Sequence, residues 1–198
     1  MNIRLIKLGV AAAFATAFAA PVFAQVGTDV NTQRDVAQQK RIESGLQSGQ
    51  LSTREAGKLE AGEARVERIE GNAARNGSVS ATEQARITAA QNRESAAIYN
   101  QKHDAQVGNP ASASSQRMQA DVQRNENQQA RIAAGAKSGQ LSTREAGSLE
   151  RGQARVDRAT SRAAADGHVG AAEQGRLQAR EDRQSVRIHR RRHNGVTA

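Results

Sequence analysis

An internal repeat is the feature that most constrains this chain. The string GQLSTREAG fills Gly49–Gly57 and returns at Gly139–Gly147. The match extends without gaps from about Arg34–His103 onto Arg124–His193, and roughly half of the aligned positions are identical. Self-similarity at a fixed offset means that one supersecondary unit is used twice. Between the copies lies AQVGNPASASSQ, Ala105–Gln116, which holds Pro110 and is rich in Ser, Ala and Gly. That is a linker composition.

Each copy reads as three helices, so the expected fold is all-α: two tandem three-helix repeats joined by a Pro/Ser/Ala linker. In the first copy, Ser48-Gly49 closes one helix, because Gly takes the left-handed conformation at a helix end. Ser52-Thr53-Arg54-Glu55 then opens the next as a capping box. The device returns at Ser80–Glu83 and at Ser138–Glu145. Its last occurrence, at Asp166–Glu173, has Gly170 where the capping Ser would stand, which predicts a weaker cap.

The second helix of the first copy carries Leu59, Gly62, Val66, Ile69 and Ala73 at spacings of three and four, the stripe of a core-facing helix. The second copy has Leu149, Gly152, Val156, Ala159 and Ala163 at those positions. Ile42, Leu46, Leu51, Val79, Ile87 and Ile98 complete a small expected core. The glycines inside the stripe suggest close approach of a neighbouring helix. A segment of about 70 residues with so few large apolar side chains is near the limit for folding alone.

The N-terminus reads as an export leader. Arg4 and Lys7 precede an apolar, Ala-rich run from Leu8 to Ala20. Pro21 and Val22-Phe23-Ala24 then supply a helix break and a cleavage context. The expected organisation is a signal peptide over 1–24, a flexible N-terminus over 25–33 and the first repeat over 34–104. A linker over 105–119, a basic repeat over 120–194 and a tail over 195–198 follow. The expected location is the periplasm or the cell exterior, with no transmembrane segment after cleavage.

Composition excludes several chemistries. The chain has no Cys or Trp, and Tyr99 is the one aromatic after the leader. Disulfides, thiol catalysis and Cys-based metal sites are therefore absent. Stacking platforms for bases are absent too, which argues against a dedicated nucleic-acid site. Nothing resembles a nucleophile elbow, an HExxH helix or a phosphate-cradling loop, so no enzyme activity, catalytic residue or cofactor is assigned. The capping loops look like the second half of a calcium loop. Placing Gly167 at its sixth position, however, puts Arg162 and Ala164 where ligands belong. His189 and His193 share a helix face, but Arg190, Arg191 and Arg192 lie between them. No metal ligands are assigned on either pattern. Scattered Glu and Asp read as solvated helix faces.

Charge is more informative. The net charge is +9. Residues 25–114 hold 11 basic and 11 acidic side chains, whereas residues 115–198 hold 16 and 9. The excess gathers at Arg176, Arg180, Arg183, Arg187, Arg190, Arg191 and Arg192. Such a stripe suits an acidic partner.

At GQLSTREAGKLE, NGSVSATEQARI and RESAAIYNQKHD, the chain resembles a family of uncharacterised exported helical repeat proteins of Burkholderia-like proteobacteria, some noted as antigens. The resemblance covers nearly all of the chain after the leader. It implies helices and a binding role, and it supplies no catalytic residues. Leu51–Glu55 is also similar, loosely, to the Leu-Thr-x-x-Gln signature of helical periplasmic stress chaperones. The expected function is a non-enzymatic interaction protein that binds a protein or a polyanionic envelope component. The alternative is a stress chaperone or a weak divalent-metal binder. If the leader is cleaved as expected, N-terminal sequencing of the exported protein reads Gln25-Val26-Gly27; an N-terminus retaining Leu8–Ala20 would refute the cleavage.

Overall fold

The computed structural model describes residues 22–195, with side chains from Thr28 onward. The leader at 1–21 and the last residues, 196–198, lie outside the described residues. Six α-helices make up the described fold: α1 Val22–Ser48, α2 Thr53–Ala73, α3 Ala81–Lys102, α4 Ala113–Lys137, α5 Thr143–Ala163 and α6 Ala171–Arg192. A short 3-10 turn, Ala74–Asn76, follows α2. The chain is all-α, and no strand occurs among the described residues.

Local chemistry sets the helix starts. Ser52, Ser80 and Ser142 each accept a hydrogen bond from the backbone N–H of the Glu three residues on, and that Glu accepts in return from the serine N–H. At α6, Gly170 offers no side chain, and only the half in which Glu173 accepts from Gly170 N survives, at 2.9 Å. Gly49 and Gly139 end α1 and α4 with φ of +77° and +72°, a region closed to most side chains.

The two copies form one body. The most extensive packing is between α2 and α5 and between α1 and α4. Helix α3 lies on α1 and α2, and α6 lies on α4 and α5. The α2–α5 contact is reciprocal. A Cβ on Gly57 would sit 2.6 Å from Cβ of Ala164, and one on Gly147 would sit 2.5 Å from Cβ of Ala74. Gly57 aligns with Gly147, and Ala74 with Ala164. The pair is therefore antiparallel and lies across an approximate two-fold axis that exchanges the copies. Gly62 and Gly152 act differently from expectation. They make room for the Glu94 and Gln184 side chains rather than for a helix backbone.

Two apolar clusters stand out among the described residues. Ile42, Leu46, Leu51, Ala56, Leu59 and Ile98 of the first copy pack with Met118, Val122, Ala164 and Val169 of the second. Ile132, Leu141, Ala146, Leu149 and Ile188 form the other cluster. The expected stripe is buried at Leu59, Val66 and Ala73, while Ile69 is only half-buried.

Two segment bounds differ from expectation. Residues 25–33 are helical and continue into α1, with Thr28, Asn31 and Thr32 buried. The core-facing positions of this stretch carry polar groups, so no apolar stripe announces it. The linker region is shorter, because Ser112 caps α4 and residues 113–119 are helical, with Met118 fully buried. The remaining loop is docked: Gly108 N donates to Gly49 O at 2.8 Å.

The close approach at the glycines can be tested directly. Ala has the better helix propensity by about 1 kcal/mol, so Gly→Ala at an unpacked site would stabilise. At Gly57 and Gly147 the added methyl meets another methyl well inside van der Waals contact. Gly57→Ala and Gly147→Ala are each expected to destabilise by about 1–3 kcal/mol in denaturant unfolding. A gain in stability from either would refute the close packing.

Candidate functional site

Two features stand out from the packing: an arginine-lined groove outside and a chain of carboxylates inside. The groove runs between α5 and α6. One hollow, of about 430 Å³, is lined by Arg155, Arg158, Arg162, Arg176 and Arg180, with Glu173 at its edge. Arg155 and Arg180 also line a smaller hollow with Arg183 and Arg187. A third, of about 590 Å³, is lined by Arg183, Arg187, Arg190 and Arg191, with Val186 and Asp182.

The seven arginines expected from sequence divide. Arg176, Arg180, Arg183 and Arg187 face solvent along the groove between α5 and α6, and Arg190 lies beyond them, exposed, at the third hollow on α6. Arg191 pairs with Glu145 at 3.4 Å while still lining the third hollow. Arg192 is turned inward and donates from Nε and Nη2 to Oε1 of Gln140 at 3.0 and 2.8 Å. It fastens the end of α6 to the second GQLS loop.

Three groove residues were missed by sequence reasoning. Arg155, Arg158 and Arg162 lie on α5 at spacings of three and four, which place them on one face. Nothing in the sequence says that this face meets α6. Burial, and then the nearby Arg187 guanidinium, lower the pKa of Arg155. Positive charge is thus concentrated without compensation. Among the described residues, Arg155, Arg158, Arg162, Arg176, Arg180, Arg183, Arg187 and Arg190 have no salt-bridge partner. In the first copy the aligned residues are Arg65, Arg68, Asn72, Arg86, Ala90, Arg93, Ala97 and Asn100. Half of the positive charge is missing there.

The interior overturns one sequence expectation. Asp35, Glu60, Glu63, Glu67, Glu70, Glu94, Asp121, Glu150, Asp157 and Glu181 are buried rather than solvated. Glu60, Glu63, Glu67 and Glu70 fall on one face of α2, which is enclosed by α5 and α1 and also touches α4. Buried amides join them. Asn125 donates to Glu60 at 3.1 Å, Gln153 to Asp157 at 3.0 Å, and Gln129 to Glu67 and Glu150. Gln91 Nε2 is shared between Asp35 and Glu70, at 2.9 Å each.

Burial is the largest cause raising every one of these acids. Glu60, Glu63, Glu67 and Glu70 are raised well above the usual carboxylate range, with neighbouring carboxylates adding to the effect. Burial also takes Glu94 to about 7, against the pull of Arg65 and Arg41. It takes Asp121 to about 8, with Glu181 adding and Arg124 opposing. One capping glutamate behaves oppositely. Glu83 is lowered by its hydrogen bonds to Ser80. In the loops that look like calcium loops, the glutamate carboxylates are occupied as helix caps.

His189 and His193 stack with ring centroids 4.3 Å apart, and Nδ1 of His193 contacts the His189 carbonyl oxygen at 2.8 Å. Among the described residues, no helix is long and apolar enough to cross a membrane. Comparison with protein-family models, with curated proteins and with solved structures found no match to this chain.

The buried acids set a pH dependence of unusual sign. A carboxyl whose pKa is higher in the folded than in the unfolded chain keeps a proton that unfolding releases. Its stabilising contribution is complete below the unfolded value, near 4, and is lost as pH rises through the folded value. For Glu94 and Asp121 that window runs from about 4 to 7 and 8. Each group changes stability by about 1.4 kcal/mol per pH unit within its window. In chelator-treated buffer the thermal midpoint is expected to be higher at pH 5 than at pH 8, and Asp121→Asn flattens the dependence. A midpoint that rises from pH 5 to 8 would refute this account.

Proposed function

We propose that this is a non-enzymatic binding protein of the cell envelope whose α5–α6 groove holds an extended, phosphate-bearing polyanion. One observation carries the reading: seven guanidinium groups line the α5–α6 groove, Arg190 continues the row along α6, and among the described residues none of the eight has a salt-bridge partner. The run from Arg176 to Arg190 covers about 21 Å of helix axis. Guanidinium forks match phosphate oxygens two at a time, and the planar, always-charged group tolerates partial burial better than an ammonium. A row of them favours a ligand with several negative groups in line over a single small anion.

The envelope setting rests on the leader, with Arg4, Lys7 and the apolar run before Ala24. In that setting the phosphorylated head groups of lipopolysaccharide are a polyanion of suitable chemistry. The first copy of the repeat has the scaffold with half of the aligned arginines, so it serves as an internal control.

Replacing Arg155, Arg180, Arg183 and Arg187 by Ala is expected to weaken binding to lipopolysaccharide at least 10-fold at low salt. The slope of log affinity against log salt should become shallower, by roughly 0.7–0.9 for each phosphate no longer neutralised if the ligand behaves as nucleic acids do. Replacing Arg65, Arg68, Arg86 and Arg93 should change little. Equal effects of the two sets would sink the assignment to the α5–α6 groove.

A further inference from the structure

We propose that Asp35, Glu70 and Glu150 form a site for one hard divalent cation of about calcium size, reached through a small cavity beside the first half of α1. The site is independent of the arginine groove and is built from other residues.

Its geometry comes first. One carboxylate oxygen from each of these residues lies within 4.8 Å of the other two, and all three residues are buried. Oxygens on opposite sides of a calcium ion, at 2.3–2.6 Å from it, are about 4.6–5.2 Å apart. The three groups can therefore close on one such ion. The donors are all carboxylate, with no sulfur or imidazole, which selects hard cations over zinc or copper.

Orientation comes next. Gln91 Nε2 donates to one oxygen of Asp35 and one of Glu70. Glu150 accepts from Thr32 Oγ1 at 3.4 Å and from Gln129 Nε2 at 3.1 Å. Each ligand is thereby fixed by an outer partner, as metal-binding carboxylates are. Oδ2 of Asp35 and Oε2 of Glu70 are left without an N–H or hydroxyl donor in a fully buried place. Both oxygens of the neighbouring Glu63 are in the same condition.

Room for the ion is present. Thr28, Asn31, Thr32, Glu70 and Glu150, with apolar neighbours, surround a cavity of about 10 Å³, on the scale of one water-sized occupant. Its wall combines two of the three carboxylates with hydroxyl and amide groups.

The duplication supplies a related place for comparison. The two-fold axis maps Glu150 onto Glu60, Asp35 onto Asn125 and Glu70 onto Thr160. It maps Thr28 and Thr32 onto Met118 and Val122, which are fully buried in the apolar cluster. At the related place Glu60 remains, hydrogen-bonded to Asn125; apolar side chains stand where the hydroxyls stood, and the buried carboxyls of Asp121 and Glu181 stand where the amides of Asn31 and Gln91 stood. One scaffold thus holds a hydroxyl-lined acidic cavity on one side, and on the other a place where apolar side chains stand in for the hydroxyls and the acids sit at different positions.

The test is calorimetric titration of the purified, chelator-stripped chain with CaCl₂, MnCl₂ and MgCl₂, with thermal melts in parallel. One equivalent of Ca²⁺ or Mn²⁺ is expected, with Mg²⁺ weaker, and the bound cation should raise the thermal midpoint. Glu150→Gln should abolish binding and the thermal shift, while Glu60→Gln, the same change at the related position, should retain both. Asp35→Asn with Glu70→Thr copies the second repeat into the first and should also abolish binding. If that double variant fails to fold, the Glu150→Gln and Glu60→Gln pair decides. No stoichiometric Ca²⁺ or Mn²⁺ binding by the folded wild type, or equal loss in the two Glu→Gln variants, would overturn the site.

Discussion

The structure depends on how the chain neutralises carboxylates that it has shut away from water. Acidic side chains from Asp35 to Glu181 are buried, and among the described residues no lysine or arginine is buried with them. Arg124, itself half-exposed, reaches only Glu181 of this set, at 3.1 Å. Burying a charged carboxylate costs several kcal/mol unless it is paired, protonated or bound to a metal. Glutamine and asparagine amides supply many of the needed donors, and raised pKa values supply protons to others. Glu67 and Asp157 are aligned positions that lie together across the two-fold axis, each among the other's hydrogen-bonding neighbours. Two facing carboxyls of this kind share a proton more readily than they hold two charges.

That interior explains the rest of the architecture. A chain with so few large apolar residues cannot fill a core in the ordinary way. It brings backbones close instead, using Gly57, Gly71 and Gly147 where α2 crosses α5, and it fills the remaining space with wired polar groups. The apolar clusters then bracket the polar interior. The outside is set by the same segregation. Both copies draw acids inward, but only the second carries an excess of arginines, and on its α5–α6 face positive potential is hardly offset.

Much of the fold was legible. The repeat, the serine–glutamate caps and the stripe at Leu59, Val66 and Ala73 each have a local cause and a local signature. The all-α class followed from them. Glu60, Glu63, Glu67 and Glu70 were misread because their spacing of three and four is also that of a solvated face. Only the enclosure of α2 on several sides buries them, and that is a tertiary fact. The start of α1 was hidden for a related reason, since Thr28, Thr32, Asp35 and Gln39 occupy positions where apolar residues would ordinarily reveal a helix. The arginines of α6 were visible as a charge excess. Their partners Arg155, Arg158 and Arg162 were not, because adjacency of α5 and α6 is a matter of packing. The inward turn of Arg192 toward Gln140 was equally invisible.

The reciprocal contact of Gly57 with Ala164 and of Gly147 with Ala74 reaches beyond this one chain. A surface that matches its own duplicate is self-complementary. A polypeptide carrying only the first copy would present both halves of that interface, and two such polypeptides would close as an isologous dimer. Glu60 of one would then stand where Glu150 stands here, beside Asp35 and Glu70 of the other. In the single chain the two copies are free to differ: Asp35 and Glu70 come from the first and Glu150 from the second, while the arginine excess lies in the second alone.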